Sequence, residues 1–260
     1  MQQLQRAYKC PLVIVALAAG VTITAMIFPL CRFMSERRAP VVQGRIQQAW
    51  CRVLLAALRV RVRTTGRMAD DAPLWVANHI SWLDILVLGA QRPTQFVAKH
   101  EVGAWPIIGY MARRNGTMLL RRGDAGSSRR IAEDMAWRLR RQQGITLFPE
   151  GTSSDGTVVR RFHSRLFQGT LLTGTRVQAV GLAYRGRGCG AVPFVGEDSF
   201  LPSLWRIIAE PVIDVELQFH QPLSPHRHTR DALAELTRRQ IVGALGLDDV
   251  ANARFTRKSG

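Results

Sequence analysis

Residues 10 to 31, CPLVIVALAAGVTITAMIFPLC, run for 22 positions without a charged side chain. As a helix rising about 1.5 Å per residue, the run would extend roughly 33 Å, enough to cross the hydrocarbon core of a bilayer. A cleaved leader is the competing reading, because Arg6 and Lys9 precede the run and ALA at 16 to 18 resembles a cleavage site. Cleavage there would leave only Pro11 to Val15 as apolar region, short of the roughly 7 to 15 residues a leader needs. The expectation is therefore a retained membrane anchor. Pro11, Gly20 and Pro29 suit either a crossing helix or a shallow hairpin held in one leaflet. Basic residues after the run (Arg32, Arg37, Arg38, Arg45) outnumber those before it. That bias places the rest of the chain on the cytoplasmic side of the inner membrane.

Behind the anchor, VVQGRIQQAWCRVLLAAL carries Ile46, Trp50, Val53, Leu54 and Leu58 at helical spacing, and reads as an amphipathic helix. Residues 59 to 63, RVRVR, alternate like an edge strand and meet a turn at TTG. From Leu74 onward short apolar runs (LWVAN, QFVAK, TMLL, ITLF) alternate with helical stretches, the last of them SRRIAEDMAWRLRRQ before Gly144. That order predicts an α/β fold, a single mixed sheet flanked by helices behind an N-terminal membrane-inserted segment. VQAVGLAY and VIDVELQF read as further strands, SLWRIIAE and RDALAELTRRQIVGAL as helices. The expected division is an anchor with its amphipathic helix over residues 1–58 and one catalytic-sized domain over residues 59–260.

The net charge of +17 invites a nucleic-acid reading, but arginine is spread along the chain, with twelve between Arg113 and Arg165 against five acids. Zinc-finger spacing, a basic leucine zipper and an RRM-type aromatic motif are all missing from the sequence, so nucleic acid is not an expected partner. An anionic membrane surface is, since each basic residue near it contributes on the order of 1 kcal/mol. The four cysteines show no CxxC spacing, which fits reduced structural thiols better than disulfides or a metal site. His220, His226 and His228 lack a Cys or carboxylate at matching spacing, and read as a polar loop.

Three short motifs carry the chemistry. NHISWLD, residues 78 to 84, puts His79 at the end of a predicted strand and Asp84 five positions later. One reading is a helix cap, with Ser81 as N-cap and Asp84 at the third helical position. The other is an acid–base pair, in which Asp84 accepts from the imidazole Nδ1–H and leaves Nε2 free as general base. The two are compatible. FPEGTSS, residues 148 to 154, is a polar loop at a strand's end, where open α/β sheets place ligands. GTMLLRR, residues 116 to 122, brings Arg121 and Arg122 to another strand end, where alternation aims one of them at the cleft and a guanidinium would grip phosphate.

In this order and spacing, the three motifs resemble the first sequence blocks of the glycerolipid acyltransferases, over roughly residues 74 to 220. The resemblance implies a catalytic pair of His79 and Asp84, with Arg122, Glu150, Gly151 and Thr152 as acceptor contacts. It implies a membrane-bound enzyme that moves a fatty acyl group from a thioester, acyl-CoA or acyl-carrier protein, to the free hydroxyl of a lysophospholipid. The foremost acceptor is 1-acyl-sn-glycerol-3-phosphate, giving phosphatidic acid, with another lysolipid such as lyso-ornithine lipid as the alternative; no metal and no cofactor are expected. Two departures stand out: Ala179 where the family's fourth block carries proline, and Arg121 where the second block commonly has an acid. Against the reading stand a serine esterase, for which the chain has no G-x-S-x-G elbow, and a non-catalytic basic protein that docks on membranes.

Overall fold

The computed structural model describes residues 2–36, 38–71, 73–121 and 124–247. Helix α1 runs Gln2–Leu30 and α2 runs Arg38–Leu58. Strand β1 (Val60–Gly66) leads to β2 (Leu74–Ala77), α3 (Leu83–Gln91), β3 (Gln95–Lys99), α4 (Ile108–Arg114) and β4 (Met118–Leu120). Then come α5 (Ala125–Arg140), β5 (Ile145–Leu147), β6 (Val177–Arg185), α6 (Phe200–Ala209), β7 (Ile213–Phe219) and α7 (Arg230–Leu245). Caps mark several of these ends: Asp124 accepts from Ser127 N–H at 3.0 Å and Thr229 from Ala232 N–H at 3.2 Å, each satisfying one orphan donor of its helix.

The seven strands form one mixed sheet in the order β1-β7-β6-β2-β5-β3-β4. The five strands from β6 to β4 run parallel, whereas β7 is antiparallel to β6 and β1 follows β7. Residues of β2 and β5 are buried throughout, as strands covered on both faces require, and β7 alternates buried with half-buried positions. The edge position expected for RVRVR is the one β1 occupies, with TTG continuing the strand. β6 pairs with β2 from Val177 to Val180 and then runs on to Arg185, so its last residues overhang the end of β2.

The apolar N-terminal run is one continuous helix interrupted by a π turn at Ile23–Ile27. Pro29 accounts for that turn: it lacks the N–H that would bond four residues back, and its ring crowds the carbonyl of Ala25. α1 and α2 form a hairpin. A buried stripe on α1 (Gln5, Lys9, Val13, Ala16, Gly20) faces inward, and Trp50 Nε1 donates to the Ala16 carbonyl at 2.7 Å. The Lys9 ammonium, fully buried, donates to the carbonyls of Leu58 and Glu210. α2 in turn closes the end of α3: Gln48 Nε2 donates to Gln91 O at 2.8 Å and Arg52 Nε to Ala90 O at 2.9 Å, satisfying carbonyls that have no partner within α3. The hairpin thus lies along the flank of the sheet unit, with Val13, Ala16, Cys51 and Leu54 in the same apolar cluster as Leu83, Val87 and Val215.

Two glycines test this packing with opposite signs. A Cβ at Gly20 would sit 2.5 Å from Trp50 Nε1, whereas one at Gly243 in α7 would meet nothing within 4 Å. Gly20→Ala is expected to cost about 1 to 3 kcal/mol through overpacking and to speed tryptic cleavage between Arg32 and Arg38. Gly243→Ala is expected to stabilise by about 0.4 to 1 kcal/mol, because the unfolded chain loses more freedom than the helix does. Thermal unfolding of the two variants in parallel reads both effects.

Candidate active site

β2 ends at Ala77, and the next four residues are gripped by segments from across the chain. Asn78 exchanges two hydrogen bonds with Leu182 of β6, Nδ2 donating to the carbonyl at 2.9 Å and Oδ1 accepting from the amide at 2.8 Å. His79 N–H donates to Glu150 Oε1 at 2.8 Å, and His79 O accepts from Ser154 N–H at 2.8 Å. Ile80 O accepts from Phe194 N–H at 3.0 Å. The amides of Ile80 and Ser81 both donate to Asp84 Oδ2, at 2.7 and 2.9 Å.

Asp84, on the first turn of α3, is fully buried. Its Oδ2 also takes the imidazole Nδ1 of His79 at 2.9 Å, and its Oδ1 takes the Tyr184 hydroxyl at 2.6 Å. An ionised carboxylate only accepts, so the hydrogen lies on His79 Nδ1, and Nε2 carries the lone pair. The ring stacks on Phe148 at 4.1 Å between centroids and 21° between planes, with about a fifth of the side chain exposed. An imidazole held in one tautomer, with its basic nitrogen accessible, is equipped to remove a proton from a bound hydroxyl.

Half of the expected capping box is present. Asp84 accepts from Ser81 N–H, while Ser81 Oγ accepts only a long 3.4 Å contact from Leu83 N–H and α3 begins at Leu83. Ser81 is fully buried, so its hydroxyl is closed to a substrate carbonyl.

Glu150 sits differently from the sequence expectation of an acceptor contact. It is only 4% exposed, and its two carboxylate oxygens accept from the backbone amides of His79 and Arg160, the latter at 2.9 Å. Burial pushes its carboxyl up to about 7, against the pull of those two amides and of nearby His79 and Arg160. A β-turn closed by Gly151 N–H to Phe148 O at 3.0 Å reverses the loop, and Gly151 takes the left-handed φ of +67° that glycine adopts without a Cβ penalty. Thr152 follows, half-buried, and Ser153 Oγ donates to Phe194 O. Arg121 is exposed, with Nη2 3.2 Å from His100 Nε2. Arg122 lies outside the described residues. Among the described residues, no three His, Cys, Asp or Glu side chains stand together as a metal site would need.

The structure thus brings His79, Asp84, Glu150, Gly151 and Thr152 together at the carboxyl ends of β2 and β5. It adds three residues that the sequence reading did not single out: Tyr184, Asn78 and Phe148. Tyr184 left one signal, a hydroxyl at the end of the largely apolar run VQAVGLAY, where a buried phenol needs a partner.

A family model described as Acyltransferase matches residues 59–183. Lyso-ornithine lipid O-acyltransferase of Pseudomonas aeruginosa is 38% identical over 206 residues, covering 78% of this chain and 80% of that protein. 1-acyl-sn-glycerol-3-phosphate acyltransferase of Neisseria meningitidis serogroup B is 34% identical over 71% of each chain. The crystal structure of the 1-acyl-sn-glycerophosphate (LPA) acyltransferase PlsC from Thermotoga maritima shares the fold, with a TM-score of 0.69 over 95% of this chain and 97% of that one at 17% identity.

Glu150 yields a prediction in two parts. An amide has one acceptor oxygen for two N–H donors, so Glu150→Gln strands a buried amide and is expected to cost about 1 to 3 kcal/mol. Because the folded carboxyl titrates near 7 and an unfolded one near 4.5, the favourable contribution is full below pH 4.5 and is lost as pH rises through 7. Thermal unfolding from pH 4.5 to 8 is expected to show that decline in the parent protein and to lack it in Glu150→Gln.

Proposed function

The chain belongs to the lysolipid acyltransferase family, and we propose that it transfers a fatty acyl group from a thioester to a lysolipid hydroxyl, with His79 as general base. The observation that carries this reading is the bond between His79 Nδ1 and Asp84, which fixes the tautomer and leaves Nε2 available at the strand ends. Nε2 takes the hydroxyl proton as the oxygen attacks the thioester carbonyl. The tetrahedral intermediate then expels the thiolate, which receives that proton from the imidazolium, leaving an ester and a free thiol. Asp84 holds the ring and offsets its transient charge. The burial of Ser81 favours a hydroxyl supplied by the acceptor over one supplied by the protein. The donor in this reading is acyl-CoA or acyl-carrier protein.

For the acceptor we favour a lyso-ornithine-type lipid. One relative with that name is 38% identical over 78% of this chain, and a further one, from Brucella abortus, is 33% identical over 77% of it. The exposed Arg121 and the relatives acting on 1-acyl-sn-glycerol-3-phosphate favour that phosphate-bearing acceptor as the second reading, in which Arg122, Gly151 and Thr152 contact the head group.

The surfaces of the hairpin support membrane attachment in this reading. α1 packs one face on α2 and exposes Leu12, Ile14, Val15 and Met26, while α6 exposes Leu201 and Trp205 beside it, with the Arg6 guanidinium 4.7 Å from the Trp205 ring. Because α2 is itself docked on α3, a perpendicular crossing would drag the sheet unit into the hydrocarbon. The geometry favours insertion into one leaflet, on the cytoplasmic side of the inner membrane in our reading.

Detergent-purified protein given a labelled acyl thioester and both lysolipids is expected to acylate lyso-ornithine lipid with the higher kcat/KM; the reverse preference would overturn the acceptor but not the chemistry. His79→Ala is expected to lose transfer by 100-fold or more, and Asp84→Asn to fall severely; near-normal turnover by folded His79→Ala would overturn the base. In membranes, 1 M salt, which screens charges beyond about 3 Å, is expected to leave the protein in the pellet. Release by salt would instead mean attachment by the basic surface alone.

A further inference from the structure

We propose that Tyr184 is a positioning residue for the reaction: its hydroxyl anchors Asp84 Oδ1 and so holds the carboxylate in the orientation that fixes His79. The inference rests on the reading of His79 as general base. Asp84 Oδ2 is saturated by three donors, the amides of Ile80 and Ser81 and the His79 imidazole. Oδ1 has the Tyr184 hydroxyl, at 2.6 Å, across 100 residues of sequence. Both partners are buried, and the overhang of β6 beyond the end of β2 is what carries the phenol over the 78–81 turn.

The chemistry of the pair assigns the roles. Burial and the adjacent Asp84 carboxylate hold the phenol's acidity far below its ordinary level, so Tyr184 stays protonated and donates; it is not itself a base. Without that donor, Oδ1 would be a buried anionic oxygen stripped of its hydrogen bond from Tyr184. A proton taken there would satisfy it, and would also remove the charge that offsets the imidazolium formed during transfer. Tyr184 thereby makes the His79–Asp84 pair harder to protonate, which keeps the Nε2 lone pair free at lower pH.

The other groups facing the pair are few. Glu150 reaches His79 from the loop after β5 through its backbone amide, and this contact is common to every Tyr184 variant. From the 193–198 loop, Phe194 touches Ile80 through backbone only, and Asp198 is tied up by Arg206 at 2.9 and 3.0 Å. α6 meets α3 through the neutral Trp82–Ser203 hydrogen bond.

The test is the pH profile of kcat/KM for full-length protein in detergent micelles, with a labelled acyl thioester and lysolipid. In Tyr184→Phe, the acid limb is expected to move up by about one to two pH units, the size of one hydrogen bond to a charged group. Activity on the alkaline plateau is expected to fall by less than about tenfold, since the amides of Ile80 and Ser81 still hold Asp84 Oδ2 in the variant. A second form avoids any folding defect: 3-fluorotyrosine placed at 184, a stronger donor of nearly the same shape, is expected to leave the fold intact and move the acid limb down. A uniform loss at all pH values with an unmoved limb in Tyr184→Phe, or an unmoved limb with fluorotyrosine, would reduce Tyr184 to packing and overturn the proposal. Retained turnover in His79→Ala would overturn the underlying base reading instead, so the two failures are separable.

Discussion

A carboxylate taken out of water has to be repaid in donors, and at Asp84 the chain gathers four of them on two oxygens. Two are amides of the turn that precedes it, and accepting from both forces that turn to curl back on the first turn of α3. The curl sets the direction of the His79 side chain and hands the remaining backbone groups, His79 N–H, His79 O and Ile80 O, to Glu150, Ser154 and Phe194. The loops after β5 and β6 are therefore positioned by the same constraint that orients the imidazole. Any substitution that lets Asp84 rotate disturbs all of them together.

The architecture divides this work between two parts of the sheet. The parallel strands β2 and β5 deliver the motifs at their carboxyl ends, as open α/β sheets do. The antiparallel step from β6 to β7 lets β6 run past its parallel neighbour, because its register partner there is β7, up to Arg185 opposite Asp214. That extension supplies Leu182 and Tyr184, two of the contacts that hold the 78–84 segment.

Much of the fold was legible because its signals are local. The apolar runs from Leu74 to Leu147 alternate with helical periods, and RVRVR shows edge-strand alternation. His79 and Asp84 were legible because they lie five residues apart, within reach of a single turn. Strand order was not, since nothing in a strand's own residues states which neighbour it will pair with. For Glu150 the family resemblance implied a substrate contact; its occupation by two backbone amides depends on where the 78–81 turn and Arg160 lie in space. Tyr184 and Asn78 were hidden by distance, their partners being separated by roughly a hundred positions. Lys9 was read as a flanking charge, whereas it is the buried fastening of the hairpin to the sheet unit.

That fastening has a consequence for the order of events during synthesis. One acceptor of the Lys9 ammonium is the carbonyl of Glu210, 201 residues further on. At roughly 5 to 20 residues per second, the ribosome delivers that acceptor some 10 to 40 seconds after α1 has been made. Through that interval the amine has only solvent and the Leu58 carbonyl to bond. Only when α6 has been completed can the ammonium exchange its solvent for the two carbonyls and close the sheet unit onto α1. The docking of the hairpin and the completion of the sheet unit are thereby tied together in time by one hydrogen-bonded amine.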